Sequence, residues 1–240
     1  MGNKVDTMAA HIETAKKTRV LNCSGRKLKE IPPAVMSLAS TVRTMDVSHN
    51  KLTAIPVALG NFTELKQLNA EHNEIGNLPS ELTGMKKLEN LQLGFNYIQE
   101  IPSSYSNFMN LKSIYLQNNK FTTFPLCLCE LKHLDVIDLS ENKIQELPEN
   151  MDKLQCIELN MNMNQLKVLP PSLSLSPRLK VLRAEENLLE LDTITTEFLK
   201  NSQVCVLAVD GNLFQMKDLT NKDGYDQYME RFTASKKKFF

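Results

Sequence analysis

The chain has no tryptophan, only 8 glycines, and no excess of either charge: Lys plus Arg and Asp plus Glu both number 28. A protein that works through phosphate contacts carries a basic field, so nucleic acid is not an expected partner. Long apolar runs are missing as well. No stretch is long enough to span a bilayer, and the start Met1-Gly2-Asn3-Lys4-Val5-Asp6 is not followed by the apolar run of a secretory signal. Cysteines 23, 127, 129, 156 and 205 form an odd, scattered set, which reads as reduced thiols and not as a disulfide framework. These absences place the chain in the cytosol. Asn22-Cys23-Ser24 and Asn61-Phe62-Thr63 are then chance matches to a glycosylation signal. A hydrophobic content of 42% in 240 residues is enough for a substantial core.

What is present is a repeat. Leu88-Glu-Asn-Leu91-Gln-Leu93-Gly-Phe-Asn96-Tyr-Ile98-Gln-Glu-Ile101-Pro102 sets the pattern, and its asparagine returns as Asn50, Asn73, Asn96, Asn119, Asn142, Asn164, Asn187 and Asn212. The separations are 23, 23, 23, 23, 22, 23 and 25 residues. An apolar-Pro step recurs at Ile31-Pro32, Ile55-Pro56, Leu78-Pro79, Ile101-Pro102, Phe124-Pro125, Leu147-Pro148 and Leu169-Pro170. This register resembles the leucine-rich-repeat family of the short intracellular Leu-Pro type. Stretches outside the repeat extend the likeness: His11 to Thr18, Leu207-Ala-Val-Asp-Gly-Asn-Leu-Phe214, and Gly224 to Phe239. The resemblance implies an α/β fold: a right-handed solenoid, or horseshoe, with a parallel concave sheet, a 3₁₀ or extended convex side and helical caps at both ends. It also implies a lipid on Gly2, no enzymatic activity and no settled partner; the residues themselves give no expectation of a cofactor or metal.

Each part of the repeat has a physical task. Alternating apolar residues such as Leu91 and Leu93 make a short strand with one buried face. The asparagine carboxamide both donates and accepts, so it can serve backbone groups that the sharp turn after the strand leaves unpaired. Each such group costs roughly 1–3 kcal/mol if left bare. The prolines fix φ on the outer wall. Nine coils stacked about 4.8 Å apart give a sheet roughly 40 Å long. Three parts follow: residues 1–17, a lipidation segment and capping helix; 18–215, about nine repeats; and 216–240, a cap helix and basic tail. The first coil is degenerate, with Leu21 and Cys23 in the buried positions and Arg26 where asparagine belongs. Asp192 takes the place of the apolar residue before proline. Met8, Ile12 and Ala15 mark the N-terminal cap, starting at Asp6 or Thr7, and Tyr225, Tyr228, Met229 and Phe232 mark the C-terminal one.

Function is expected on two surfaces. Met1-Gly2 fits the start of an N-myristoylation signal, although Asp6 stands at its Ser/Thr position. One acyl chain binds a membrane weakly, so a second attachment is needed, and Lys236, Lys237 and Lys238 are the candidates. The concave face carries a central row of Asn22, Asp46, Asn69, Gln92, Tyr115, Asp138, Asn160, Arg183 and Ala208, with Phe95 and Tyr97 beside it. Asp46, Asn69, Gln92, Phe95, Tyr115, Asp138, Glu158, Asn160, Arg183 and Glu185 are the expected partner-binding residues. The C-terminal half is acidic through Asp138, Glu141, Glu158, Glu185, Glu186 and Asp210, which predicts a basic partner surface.

His49 and His72 occupy equivalent places in adjacent coils, but without further ligands they read as exposed polar residues and not as a metal site. Cys127 and Cys129 read as core filling. No phosphate loop, nucleophile elbow or zinc-protease motif occurs. The expected function is a non-enzymatic, monomeric protein-interaction scaffold, tethered by its lipid to the cytosolic face of a membrane. The alternatives are a soluble cytosolic or nuclear adaptor, and a regulator of a small GTPase or phosphatase through the concave face, the last by fold analogy alone.

Overall fold

A computed structural model of the chain describes residues 8–236. Gly2, the helix starts suggested at Asp6 and Thr7, and Lys237 and Lys238 lie outside the described residues. Nine three-residue strands make one parallel sheet in sequence order: β1 (Val20–Asn22), β2 (Thr44–Asp46), β3 (Gln67–Asn69), β4 (Asn90–Gln92), β5 (Ser113–Tyr115), β6 (Val136–Asp138), β7 (Glu158–Asn160), β8 (Val181–Arg183) and β9 (Val206–Ala208). The middle residue of every strand is buried and its neighbours are not, as period-two alternation requires.

The outer wall is a series of 3₁₀ turns, among them Val57–Asn61, Ser80–Gly84, Ser103–Asn107 and Leu126–Glu130. Proline starts these four; Met151–Lys153 and Leu191–Thr193 start instead after Asn150 and Glu190. The Pro56 carbonyl accepts from Leu59 N–H at 2.9 Å, Pro102 from Tyr105 at 3.0 Å, and Pro125 from Leu128 at 3.0 Å. Each turn thereby delivers a bulky apolar residue to the core, where Leu59, Tyr105 and Leu128 are fully buried. Two glycines let adjacent turns close up. A Cβ on Gly60 would sit 2.1 Å from the Glu81 carbonyl oxygen, and one on Gly84 would sit 2.4 Å from that of Gly60. The 25-residue spacing before Asn212 accommodates a true helix, α2 (Thr196–Asn201), capped by the Thr195 hydroxyl.

Both ends of the core are covered. Helix α1 (Met8–Thr18) buries Ile12 and Ala15 against the first coil. After the short α3 (Met216–Thr220), α4 (Tyr225–Lys236) lays Tyr228 on the last one. The Tyr228 hydroxyl accepts from Leu207 N–H at 3.1 Å, a donor that β9 has no following strand to satisfy. Arg231 fixes the cap by donating to the carbonyls of Val204 (3.1 Å), Lys200 (3.0 Å) and Leu199.

Candidate functional site: the concave face

An asparagine spine carries the face. In Asn119, Oδ1 accepts from Ile98 N–H at 3.0 Å, and Nδ2 donates to the carbonyls of Leu93 and Leu116, both at 3.0 Å. The Leu93 carbonyl is shared with Asn96 and that of Leu116 with Asn142, each also at 3.0 Å. The same sharing joins Asn50 to Asn73 at Val47, Asn73 to Asn96 at Ala70, and Asn164 to Asn187 at Met161. The spine ends at Asn212, which serves Leu189 N–H and the carbonyls of Ala184 and Val209. In the degenerate first coil, Asn50 Oδ1 accepts from the backbone of both Arg26 and Leu28.

The residue before each of these asparagines is left-handed. His49, His72, Phe95, Asn118, Glu141, Met163 and Glu186 have φ between 51° and 56°. This conformation turns the next side chain inward, at a cost of roughly 1–2 kcal/mol for a residue with a Cβ.

Strand register aligns the central row: Asn22, Asp46, Asn69, Gln92, Tyr115, Asp138, Asn160, Arg183 and Ala208 are successive partners. Much of this row holds its own backbone. Asn22, Asp46, Asn69, Asp138 and Asn160 each accept from the N–H two residues on, at 2.9–3.1 Å. Asp46 and Asp138 also take the hydroxyls of Ser48 and Ser140 at 2.6 Å, and Asn160 donates to Asp138. Sequence reading missed these serines, although Asp-x-Ser occurs at both places. Gln92, Tyr115 and Arg183 do not cap the backbone in this way.

The acidic residues are ordered as well. Glu158 pairs with Arg183 at 2.9 Å, Glu185 accepts from Asn162 at 2.7 Å, and Glu141 accepts from Asn118 at 2.7 Å. Amide donors fix a carboxylate without cancelling its charge, so Arg183 remains the counter-charge, and this half of the face stays acidic. Gly94, buried in the row beside Tyr115, lets Gln117 reach across its coil to Glu71 at 2.9 Å.

The aromatic residues do not gather around Tyr115. Among the described residues no ring contact joins Tyr115 to Phe95; the Phe95 ring lies on His72 at 4.1 Å, and His72 lies on His49 at 4.3 Å. These three exposed or half-buried rings form a stacked ridge along the rim. Tyr97 stands outside it, with the Lys120 ammonium 5.9 Å from its ring. Lys236 lies on the opposite cap, over Phe232.

Among the described residues, no three His, Cys, Asp or Glu side chains gather as a metal site requires. No disulfide joins any of the five cysteines. Burial pushes the Cys127 and Cys129 thiols up to about 11 and Cys156 higher, so these thiols are protonated. No helix among the described residues is long and apolar enough to cross a membrane.

Comparison with known proteins places this geometry. The family model described as leucine rich repeat matches residues 86–144. The mouse leucine-rich repeat and calponin homology domain-containing protein 1 is 38% identical over 85 residues, which is 34% of this chain and 12% of that protein. The chain thus spans about an eighth of the length of this relative. A leucine-rich-repeat protein of Leptospira interrogans superposes with a TM-score of 0.75 at 24% identity, covering 90% of this chain and 62% of that one. The crystal structure of PEPR1 with AtPEP1 gives 0.65 at 28% identity, over 78% of this chain and 27% of that one. Strand register, asparagine spine and these similarities agree: the chain is built of leucine-rich repeats and folds as a leucine-rich-repeat solenoid.

Proposed function

We propose that this chain is a non-enzymatic protein-interaction scaffold whose concave face receives a partner with a basic surface. The carrying observation is the acidic half of that face, where Arg183 alone offsets Asp138, Glu141, Glu158, Glu185, Glu186 and Asp210. Side chains held by hydrogen bonds before a partner arrives lose little freedom on binding. The crystal structure of PEPR1 with AtPEP1, an array of this fold solved together with a second molecule, supports a binding role for such an array. Glu158 and Glu185 also organise Arg183 and Asn162, so Glu186 and Asp210 make the cleaner test. Reversing both to lysine should remove the basic partners recovered by affinity purification from cells, with the fold intact. An unchanged partner set refutes the proposal.

The scaffold is tethered, in this reading, to the cytosolic face of a membrane through a myristoyl group on Gly2. The support is the Met1-Gly2 start and the likeness to short intracellular repeat proteins. Mass spectrometry of the N-terminal peptide from protein made in eukaryotic cells tests this directly. A glycine without a tetradecanoyl group refutes the tether and leaves the concave-face proposal standing.

A further inference from the structure

The chain has no net charge, yet its charges are sorted along the solenoid. The residue leading into each strand belongs to a row joined by backbone hydrogen bonds. Arg43 N–H donates to the Arg19 carbonyl at 2.9 Å, Lys66 to Arg43 at 2.8 Å, Glu89 to Lys66 at 2.8 Å, and Lys112 to Glu89 at 2.8 Å. Arg19, Arg43 and Lys66 open the row with three exposed cations, and Lys17, in the last turn of α1, adjoins them. Glu89, the one carboxylate in these five coils of the row, is clasped by Lys66 at 2.7 Å and Lys112 at 2.8 Å. Glu64, next to the row, is taken by Lys87 at 2.6 Å.

This edge has the wrong composition for a protein interface, because no aromatic or aliphatic anchor stands among its first five members. It also has no ring on which a nucleobase could stack. A line of three cations about 10 Å long, presented on adjacent coils, suits a surface of spread negative charge. Its position adds an argument. The row begins at β1, directly after the helix that follows residues 1–7, whereas Lys236 is on the far cap.

We propose that the edge formed by Lys17, Arg19, Arg43 and Lys66 is a contact surface for an anionic phospholipid bilayer. It supplies the second attachment that one acyl chain needs, and in that respect rests on the tether reading above. The solenoid then meets the membrane along its N-terminal strand-start edge, and the acidic part of the concave face stays clear for a partner.

The test uses the full chain coexpressed with an N-myristoyltransferase, its acylation verified by intact mass, floated on phosphatidylcholine vesicles with and without phosphatidylserine. Lys17→Gln/Arg19→Gln/Arg43→Gln should lose about a hundredfold in partitioning onto the phosphatidylserine vesicles and nothing on the neutral ones. Lys236→Gln/Lys237→Gln/Lys238→Gln should behave as wild type. Thermal unfolding by circular dichroism checks that both variants fold. Equal binding by the N-terminal variant and wild type overturns the proposal, as does release by the tail variant alone. Displacement from phosphatidylserine by single-stranded RNA at equal phosphate concentration also overturns it, in favour of a nucleic-acid surface. If Gly2 proves unmodified, the tether reading fails by itself. The edge is then judged with the unacylated chain at low salt, where the same N-terminal variant must lose binding.

Discussion

Replacing Asn119 with alanine isolates what the spine contributes, because its partners can be counted. The substitution removes the acceptor for Ile98 N–H, which is buried, and the donors to the Leu93 and Leu116 carbonyls. Those carbonyls keep Asn96 and Asn142, so only the Ile98 amide is orphaned. A buried donor without a partner costs roughly 1–3 kcal/mol, and two further lost bonds cost about 0.5–1 kcal/mol each. Asn119→Ala should therefore destabilise by about 3 kcal/mol. Had each carbonyl belonged to one asparagine, three orphans would raise the figure above about 5 kcal/mol. Urea unfolding, with the slope unchanged from wild type, measures the loss, and native-state hydrogen exchange should show Ile98 opening first. A loss no larger than that of the exposed Asn107→Ala would refute the shared-carbonyl account.

Three further outcomes are expected. Glu89 is held down to about 2 by its hydrogen bonds to Lys112 and Lys66; its stabilising contribution is complete above the ordinary glutamate range and vanishes as pH falls toward 2. Glu89→Gln should therefore cost about 1 kcal/mol in urea titrations at pH 7, modest because the pair is solvent-screened, and nothing near pH 2. Tyr228→Phe leaves Leu207 N–H at the sheet edge without its acceptor; it should cost about 1–2 kcal/mol and speed exchange of that amide, and unchanged exchange would remove the edge-sealing role. Gly60→Ala drives a methyl into the Glu81 backbone, whereas Gly94→Ala meets only the movable end of Gln117. The first should lower stability by about 3 kcal/mol or more and the second by less than about 1 kcal/mol, as thermal scans can rank.

The solenoid was readable because two signals share one period. The asparagine spacing and the apolar-Pro steps place every strand and most 3₁₀ turns, and cap residues such as Ile12 and Tyr228 announce themselves by helical spacing. Other features lay below the signal. The left-handed position is filled by His, Phe, Asn, Glu and Met in seven coils, and glycine stands there only as Gly25 and Gly211, so no glycine repeat marks it. The bridge from Gln117 to Glu71 spans two coils and depends on Gly94 between them, which no local pattern encodes. Arg231 acts on carbonyls about thirty residues away, outside the repeat register. On the concave face, register gave the row correctly, but composition alone did not reveal that Asp46 and Asp138 are already engaged by their own backbone.

The spine gives the array a direction. Each carboxamide supplies the acceptor for a backbone N–H of the coil before it, so that N–H depends on the successor coil: Leu189 N–H needs Asn212, and Leu28 N–H needs Asn50. Unravelling from the C-terminal side strips acceptors from the turn left behind and so feeds itself. Peeling from the other side leaves lone carboxamides and the strand-start amides at positions such as Arg43, whose exposed places let water satisfy them. The hydroxyl of Tyr228 and the guanidinium of Arg231 stand where that self-feeding loss would begin, and they act as a stop.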